Sequence, residues 1–236
     1  MNIPIRLLPL FLAAGFTLGL GSPAWAAQKV QLAVARIYIE YNFTANDLGF
    51  HVFLDGEDWR TLKIIHPNGR TIFEVEGKGG FGDLGMTELF FEGAEPSLDE
   101  IPLEDLLALF PEGKYKFLGK TAAGDDLVGT ATLTHKVPDA PIISSPAKGE
   151  AVDSGQPVVI DWEPVNDPRG GKITGYQVIV ERTDPKRVFT VDLPASKTRV
   201  TVPPEFLEPG TEYLFEVLAI EAGGNQTITE SSFKTK

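Results

Sequence analysis

Short runs of alternating apolar and polar residues recur along most of this chain, and this pattern most constrains its fold. Apolar side chains stand at every second position over residues 37–43, 158–162 and 213–219. Groups rich in Gly, Pro and Asn separate the runs. Period-two alternation indicates strands with one buried face, and closely spaced turns favour sandwiches. The sequence therefore predicts an all-β protein.

Composition excludes several kinds of chemistry. The chain has no cysteine, which removes disulfides, thiolate catalysis and Cys-ligated zinc. Its net charge of −12 argues against nucleic acids and anionic membranes as partners. The Gly-rich segment at residues 77–82 has no trailing Gly-Lys-Ser/Thr, so it is not a phosphate loop. We expect no cofactor.

Residues 1–26 have the pattern of a signal peptide. Arg6 precedes an almost wholly apolar run at residues 7–20, and Ala24-Trp25-Ala26 supplies an Ala-x-Ala cleavage site. The apolar run is shorter than the roughly 20 residues that cross a bilayer. We therefore expect export to the periplasm or the exterior, with no membrane anchor after cleavage.

The remaining chain divides near Val137. Three prolines fall at positions 138, 141 and 146, and prolines this close do not fit a central strand. This predicts residues 27–137 as one domain and residues 138–236 as another, joined by an exposed linker that a protease would cut first.

Residues 138–236 carry seven short strand patterns around Trp162. The segments at residues 173–178 and 207–213, with Leu207 and Tyr213 at the ends of the second, resemble the fibronectin type III module. The resemblance implies an immunoglobulin-like β-sandwich with Trp162 and Leu207 in its core. It also implies a tyrosine corner, in which the Tyr213 hydroxyl bonds to an upstream backbone group.

Residues 27–137 are predicted to form a β-sandwich-like domain with one or two short helices. Turn signals fall at Asp55-Gly56 and at residues 67–69, and both predict hairpins. Residues 77–85 read as a mobile loop. Residues 87–92 depart from the strand pattern, as do residues 103–110, whose apolar positions fit one helical face. Together with the second half, this domain resembles uncharacterised exported bacterial proteins that contain one fibronectin module.

Candidate catalytic groups do not assemble in the sequence. His51, His66 and His135 all read as surface residues, and His51 alternates with the apolar Phe50 and Val52. Acidic pairs are common, but only Glu88 and Glu92 are spaced to share a helix face. A weak calcium candidate is the predicted turn with Asp55, Glu57 and Asp58, if it meets the loop with Asn42, Asn46 and Asp47. Ordinary turn chemistry explains the same residues, and we expect no metal.

These observations predict a non-catalytic exported binding protein whose partner is an unknown protein or glycan. The alternatives are a carbohydrate-binding module that stacks sugars on Trp59 and Tyr38, and a small secreted hydrolase. The predicted contacts are Asp167, Arg169 and Asn225, in two loops at the same end of the second domain. A competing surface is the final strand, residues 227–235, if it is a free sheet edge.

Overall fold

The computed structural model describes residues 28–166 and 171–236. The predicted signal peptide, Asp167 and Arg169 lie outside these residues. The described chain is almost entirely β. None of its described helices is long and apolar enough to cross a membrane.

The first half contains seven strands and two short helices. They are β1 (Lys29–Gln31), β2 (Val34–Asn42), β3 (Asp47–Ile65), β4 (Thr71–Glu76), α1 (Gly80–Leu84), β5 (Met86–Glu92), α2 (Leu103–Leu109), β6 (Gly113–Thr121) and β7 (Asp126–Leu133). The helix predicted at residues 103–110 is confirmed by α2, which buries Leu106.

The described residues of the second half form eight strands and one 3₁₀ turn (Pro204–Phe206). The strands are β8 (Ile143–Ser145), β9 (Glu150–Val152), β10 (Val158–Trp162), β11 (Ile173–Thr183), β12 (Lys186–Pro194), β13 (Arg199–Val202), β14 (Glu212–Glu221) and β15 (Gln226–Thr235). β13, β10 and β8 form one sheet, and β12, β11, β14 and β15 belong to the other. The all-β prediction with an immunoglobulin-like second domain is confirmed.

The long strand β3 organises the first domain. Its beginning pairs with β2 and β5, and its end pairs with β4 and β6. A register shift lies between Asp55 and Trp59. The predicted hairpin at Asp55-Gly56 is therefore wrong, because β3 continues through it from one pair of neighbours to the other. A bulge of this kind bends a strand without reversing it.

Two further local predictions in the first domain are wrong. Residues 86–92 form strand β5, in which half-buried Leu89 and Phe91 alternate with exposed neighbours. Pairing with residues 51–55 of β3 sets this extended conformation. The predicted loop at residues 77–85 contains the five-residue helix α1. The turn predicted at residues 67–69 is confirmed between β3 and β4, with Gly69 at φ 90°.

Each half has its own hydrophobic core. The first surrounds Trp59, Tyr115 and Phe117, and extends to Val137. The second surrounds Trp162, Tyr176 and Phe215. Both tryptophan side chains are almost completely inaccessible to solvent.

The two cores share one sheet. β15 pairs in parallel with β2, through residues 226–228 and 40–42. Near its other end, β15 pairs in parallel with β9 through residues 233–235. The final strand is therefore not the free edge that the sequence suggested, since segments from both domains cover it.

The connection between the domains is also packed. Val137, Pro138 and Pro141 are buried. The hydroxyl of Thr227 donates to the Pro138 carbonyl at 2.7 Å, and that of Thr229 donates to the Pro141 carbonyl at 2.8 Å. The prediction of an exposed linker is therefore wrong, because hydroxyls along β15 hold this segment against the strand.

Candidate functional site

The β14–β15 turn inserts into the first domain and forms the seam between the two domains. Gly224, at φ 100°, allows the turn to reverse tightly, and a Cβ at this position would lie 3.6 Å from the Cβ of Tyr38. The backbone N–H of Ala222 donates to the Lys172 carbonyl at 2.9 Å. For the described residues, this confirms that the two loops predicted at one end of the second domain lie side by side.

Asn225 is the central contact of this seam and is only 1% exposed. Its Oδ1 accepts from the backbone N–H of Ile39 at 2.8 Å. Its Nδ2 donates to the carbonyls of Thr134 at 2.8 Å and Lys136 at 3.0 Å. The prediction of Asn225 as an exposed partner contact is wrong, because the first domain uses every polar atom of its amide.

A cleft of about 450 Å³ opens beside the seam, with one wall from each domain. Arg36 and Tyr38 of β2 form one wall, and Gln177, Asp192 and Gln226 line the other. The Gln177 Nε2 donates to Asp192 Oδ1 at 2.8 Å. Burial, with a smaller contribution from the nearby Glu40, raises the pKa of Tyr38 to about 12, so the phenol remains a neutral hydrogen-bond donor. The cleft thus offers a cation, an anion and neutral donors.

His51 lies directly behind Tyr38, to which it is paired across β2 and β3. The two rings stack with centroids 5.1 Å apart. The Phe90 ring lies 6.0 Å from the imidazole. The predicted alternation is correct, since His51 points away from the core that holds Val52. The predicted exposure is wrong, because the neighbouring rings leave His51 only 3% exposed.

Three carboxylates surround the His51 imidazole. Its Nε2 lies 3.7 Å from Glu40 Oε1 and 3.5 Å from Glu95 Oε1. Its Nδ1 lies 3.8 Å from Glu92 Oε2. Neither ring nitrogen makes a hydrogen bond within the described structure. Glu40 also accepts a hydrogen bond from Gln226 of the second domain.

The electrostatics of this cluster follow from its burial. Burial raises the pKa of Glu40, with smaller increases from Glu95 and Glu92 and opposing effects from His51 and Gln226. Glu216 occupies the same face of the continuous sheet. Its own burial, with Glu230 and Glu40 nearby, raises its pKa to about 7.

Sequence reasoning missed this cluster because strand pairing creates it. His51 pairs with Tyr38 on one side and with Glu92 on the other. Residues paired across neighbouring strands project from the same face. The alternation that turns His51 outward was the one available signal. The sequence does not show which strands lie beside it.

The weak calcium candidates lie elsewhere. In the β2–β3 hairpin, Asn42 pairs with Asp47 at one end and Val34 pairs with Asp55 at the other. Eight residues of strand separate Asp47 from Asp55 by about 26 Å, so the two acidic segments do not meet. Among the residues described here, the group of three or more possible metal ligands is Glu40, His51 and Glu95.

The structure also bears on the two alternative functions. Trp59 is 0% exposed in the first core, so it offers no platform for a sugar. Tyr38 lines the cleft, but one ring face is stacked on His51. Glu88 and Glu92 lie on strand β5 with their α-carbons about 13 Å apart, so they do not share the helix face that their spacing suggested.

The predicted structural residues of the second domain lie in its core. The Tyr213 hydroxyl accepts from the Glu208 backbone N–H at 2.8 Å and donates to the Phe206 carbonyl at 3.4 Å. This is the geometry of a tyrosine corner. Trp162 packs edge-on against Tyr176 with ring centroids 5.3 Å apart, and Leu207 is buried in the same core.

Comparisons with known proteins identify the second domain. A family model of the fibronectin type III domain matches residues 145–235. A two-domain fibronectin type III segment of chicken tenascin is 13% identical, with 89% of this chain and 99% of that chain covered and a TM-score of 0.31. A fibronectin domain of human collagen alpha-1(XX) is 23% identical, with 40% and 83% covered and a TM-score of 0.31. The match to the family model shows that residues 145–235 form a fibronectin type III domain.

Proposed function

We propose that this protein is a non-catalytic exported binding protein that holds a segment of a partner protein in the cleft between its domains. Fibronectin type III domains generally mediate protein interaction. The signal-peptide pattern at residues 1–26 supports export. The observation that carries the proposal is the cleft itself, whose two walls come from different domains and are joined through Asn225.

The chemistry of the cleft favours a peptide segment as its occupant. Arg36 and Asp192 supply opposite charges, and Gln177 supplies an amide. Exposed backbone N–H and C=O groups of a partner would pair with such a mixture of donors and acceptors. Sugar recognition favours open aromatic faces, whereas the Tyr38 ring is covered on one side by His51.

Rigidity of the seam supports binding at this position. Because Asn225 and the β2–β15 pairing fix the walls relative to each other, the cleft exists before a partner arrives. A preformed site avoids the entropy cost of ordering two domains during association. Clefts between domains of a few hundred cubic ångströms are common ligand sites.

The proposal is tested by site-specific crosslinking in the native envelope. A photo-crosslinking amino acid at Gln177 should capture a partner protein, whereas one at the exposed Lys78, which lies in the first domain and does not line the cleft, should not. The double variant Arg36→Ala/Asp192→Ala should then weaken binding of the captured partner by about tenfold.

A matched control is the exposed ion pair of Lys63 and Glu74, which are 2.9 Å apart on the first domain. Lys63→Ala/Glu74→Ala removes the same two charges away from the cleft and should change affinity by less than about twofold. Equal loss in both double variants would refute the assignment of the cleft. Binding to a glycan array that depends on Tyr38 would favour the carbohydrate-binding alternative.

A further inference from the structure

His51 is a buried polar side chain whose polar atoms are unsatisfied. The residue is 3% exposed, and neither Nδ1 nor Nε2 has a hydrogen-bond partner among the described atoms. Buried polar groups in native proteins are nearly always paired, with protein, water or an ion. An unpaired imidazole aimed at carboxylates therefore points to a missing partner.

The surrounding oxygens are arranged as metal ligands would be. His51 Nε2 lies 3.7 Å from one oxygen of Glu40 and 3.5 Å from one oxygen of Glu95. All three atoms lie within 4.8 Å of one another. Tetrahedral ligands with metal bonds of 2.0–2.2 Å are separated by about 3.4 Å. Movements of a few tenths of an ångström would bring the His51 contacts to that separation.

Groups around these three residues are placed to support them as ligands. Glu92 faces the opposite ring nitrogen, Nδ1, at 3.8 Å. Histidines that bind metals commonly donate their other N–H to a carboxylate, which fixes the ring and its tautomer. Gln226 holds the second oxygen of Glu40. Gly49 leaves room for the Glu95 side chain. A Cβ at position 49 would lie 2.7 Å from the Oε1 atom of Glu95, which is too close.

Charge favours a cation over a water molecule in this space. Three carboxylates converge on the buried His51 ring, and their mutual repulsion is unfavourable even though Glu92 and Glu95 are partly exposed. A water molecule would satisfy hydrogen bonds but leave that charge uncompensated. A divalent ion would satisfy both.

We propose that His51 Nε2, Glu40 and Glu95 bind one divalent transition-metal ion of the zinc class, with a fourth position open. The imidazole ligand distinguishes the site from those of calcium and magnesium, which select oxygen ligands. The proposal does not depend on the cleft binding a partner. Because Gln226 of the fibronectin domain holds Glu40, the ion would also stabilise the seam.

The test is titration of the purified, chelator-stripped chain with Zn²⁺ alone. Isothermal calorimetry should show one saturable site with a Kd below about 10 µM. Zinc should also raise the melting temperature, since a ligand that binds only the folded state stabilises it. X-ray absorption should show one imidazole and oxygen ligands.

Matched variants separate this site from surface binding. Glu95→Gln should weaken zinc binding by about tenfold or more, and Glu95 is partly exposed, so the chain should still fold. Glu88→Gln, on the same strand as Glu92 but outside the cluster, should have no effect. His51→Ala should abolish binding, whereas His66→Ala should not. If His51→Ala fails to fold, the Glu95 comparison decides.

Two results would overturn the proposal. One is the absence of saturable zinc binding by the wild-type chain. The other is zinc binding that survives Glu95→Gln unchanged, which would place the ion elsewhere.

Discussion

Replacement of Asn225 by alanine should destabilise the whole protein, because it removes the partners of three backbone groups at once. The Ile39 N–H loses its acceptor in a fully buried environment. The carbonyls of Thr134 and Lys136 lose their donor in a partly buried environment. An orphaned buried group costs about 1–3 kcal/mol, and water can relieve part of that cost where it reaches. The expected loss in the free energy of unfolding is about 3 kcal/mol, within a range of 2–5.

Urea unfolding monitored by tryptophan fluorescence would measure this loss in both domains, since Trp59 reports on the first core and Trp162 on the second. Calorimetry adds a separate readout. The wild-type chain should unfold in one coupled transition, whereas Asn225→Ala should divide it into two. A matched control is Gln156→Ala, which removes an exposed amide of the second domain and should change stability by less than about 0.5 kcal/mol. A loss below about 1 kcal/mol for Asn225→Ala would refute the assignment of the seam to this side chain.

Three further predictions follow from the packing of the fibronectin domain. Tyr213→Phe should lower the free energy of unfolding by about 1–3 kcal/mol, because the Glu208 N–H loses its acceptor. The measurement is urea unfolding, and an unchanged midpoint would contradict the role of the tyrosine corner. The Glu216 carboxyl should stay protonated up to about pH 7 in the folded chain, whereas in the unfolded chain it ionises near pH 4.5. The free energy of unfolding should therefore fall as the pH rises from 4.5 to 7. In the presence of a chelator, Glu216→Gln should therefore stabilise the chain by about 1 kcal/mol at pH 8, after allowance for solvent screening. At pH 4 the same substitution should leave stability unchanged. The control Glu212→Gln, at an exposed position, should leave stability unchanged at both pH values. Limited proteolysis should leave residues 138–145 intact in the wild-type chain and cut them in Asn225→Ala. Early cleavage of the wild-type chain at these residues would contradict the packing of the connection against β15.

The sequence alone was sufficient for features that depend on local pattern. Alternation identified most strands, including the one that holds Trp162. The apolar spacing over residues 103–110 identified α2. The resemblance of residues 207–213 to the fibronectin type III module implied the corner, and the Tyr213 hydroxyl bonds to Glu208 only five residues away. In each case the interacting groups are close in the chain, so their spacing contains the information.

Tertiary structure decided whatever depends on which strands become neighbours. Pairing on both sides carries β3 through Asp55 and Gly56, a dipeptide that would otherwise favour a turn. The seam encloses Asn225, although its Gly-rich surroundings predict an exposed loop.

The histidine–carboxylate cluster shows the same division. Alternation correctly turns His51 away from the core, but strand register brings it beside Glu92, and the partners Glu40 and Glu95 come from other segments. Burial and pairing are properties of the assembled sheet, and a residue's own sequence neighbours do not determine which distant residues cover it.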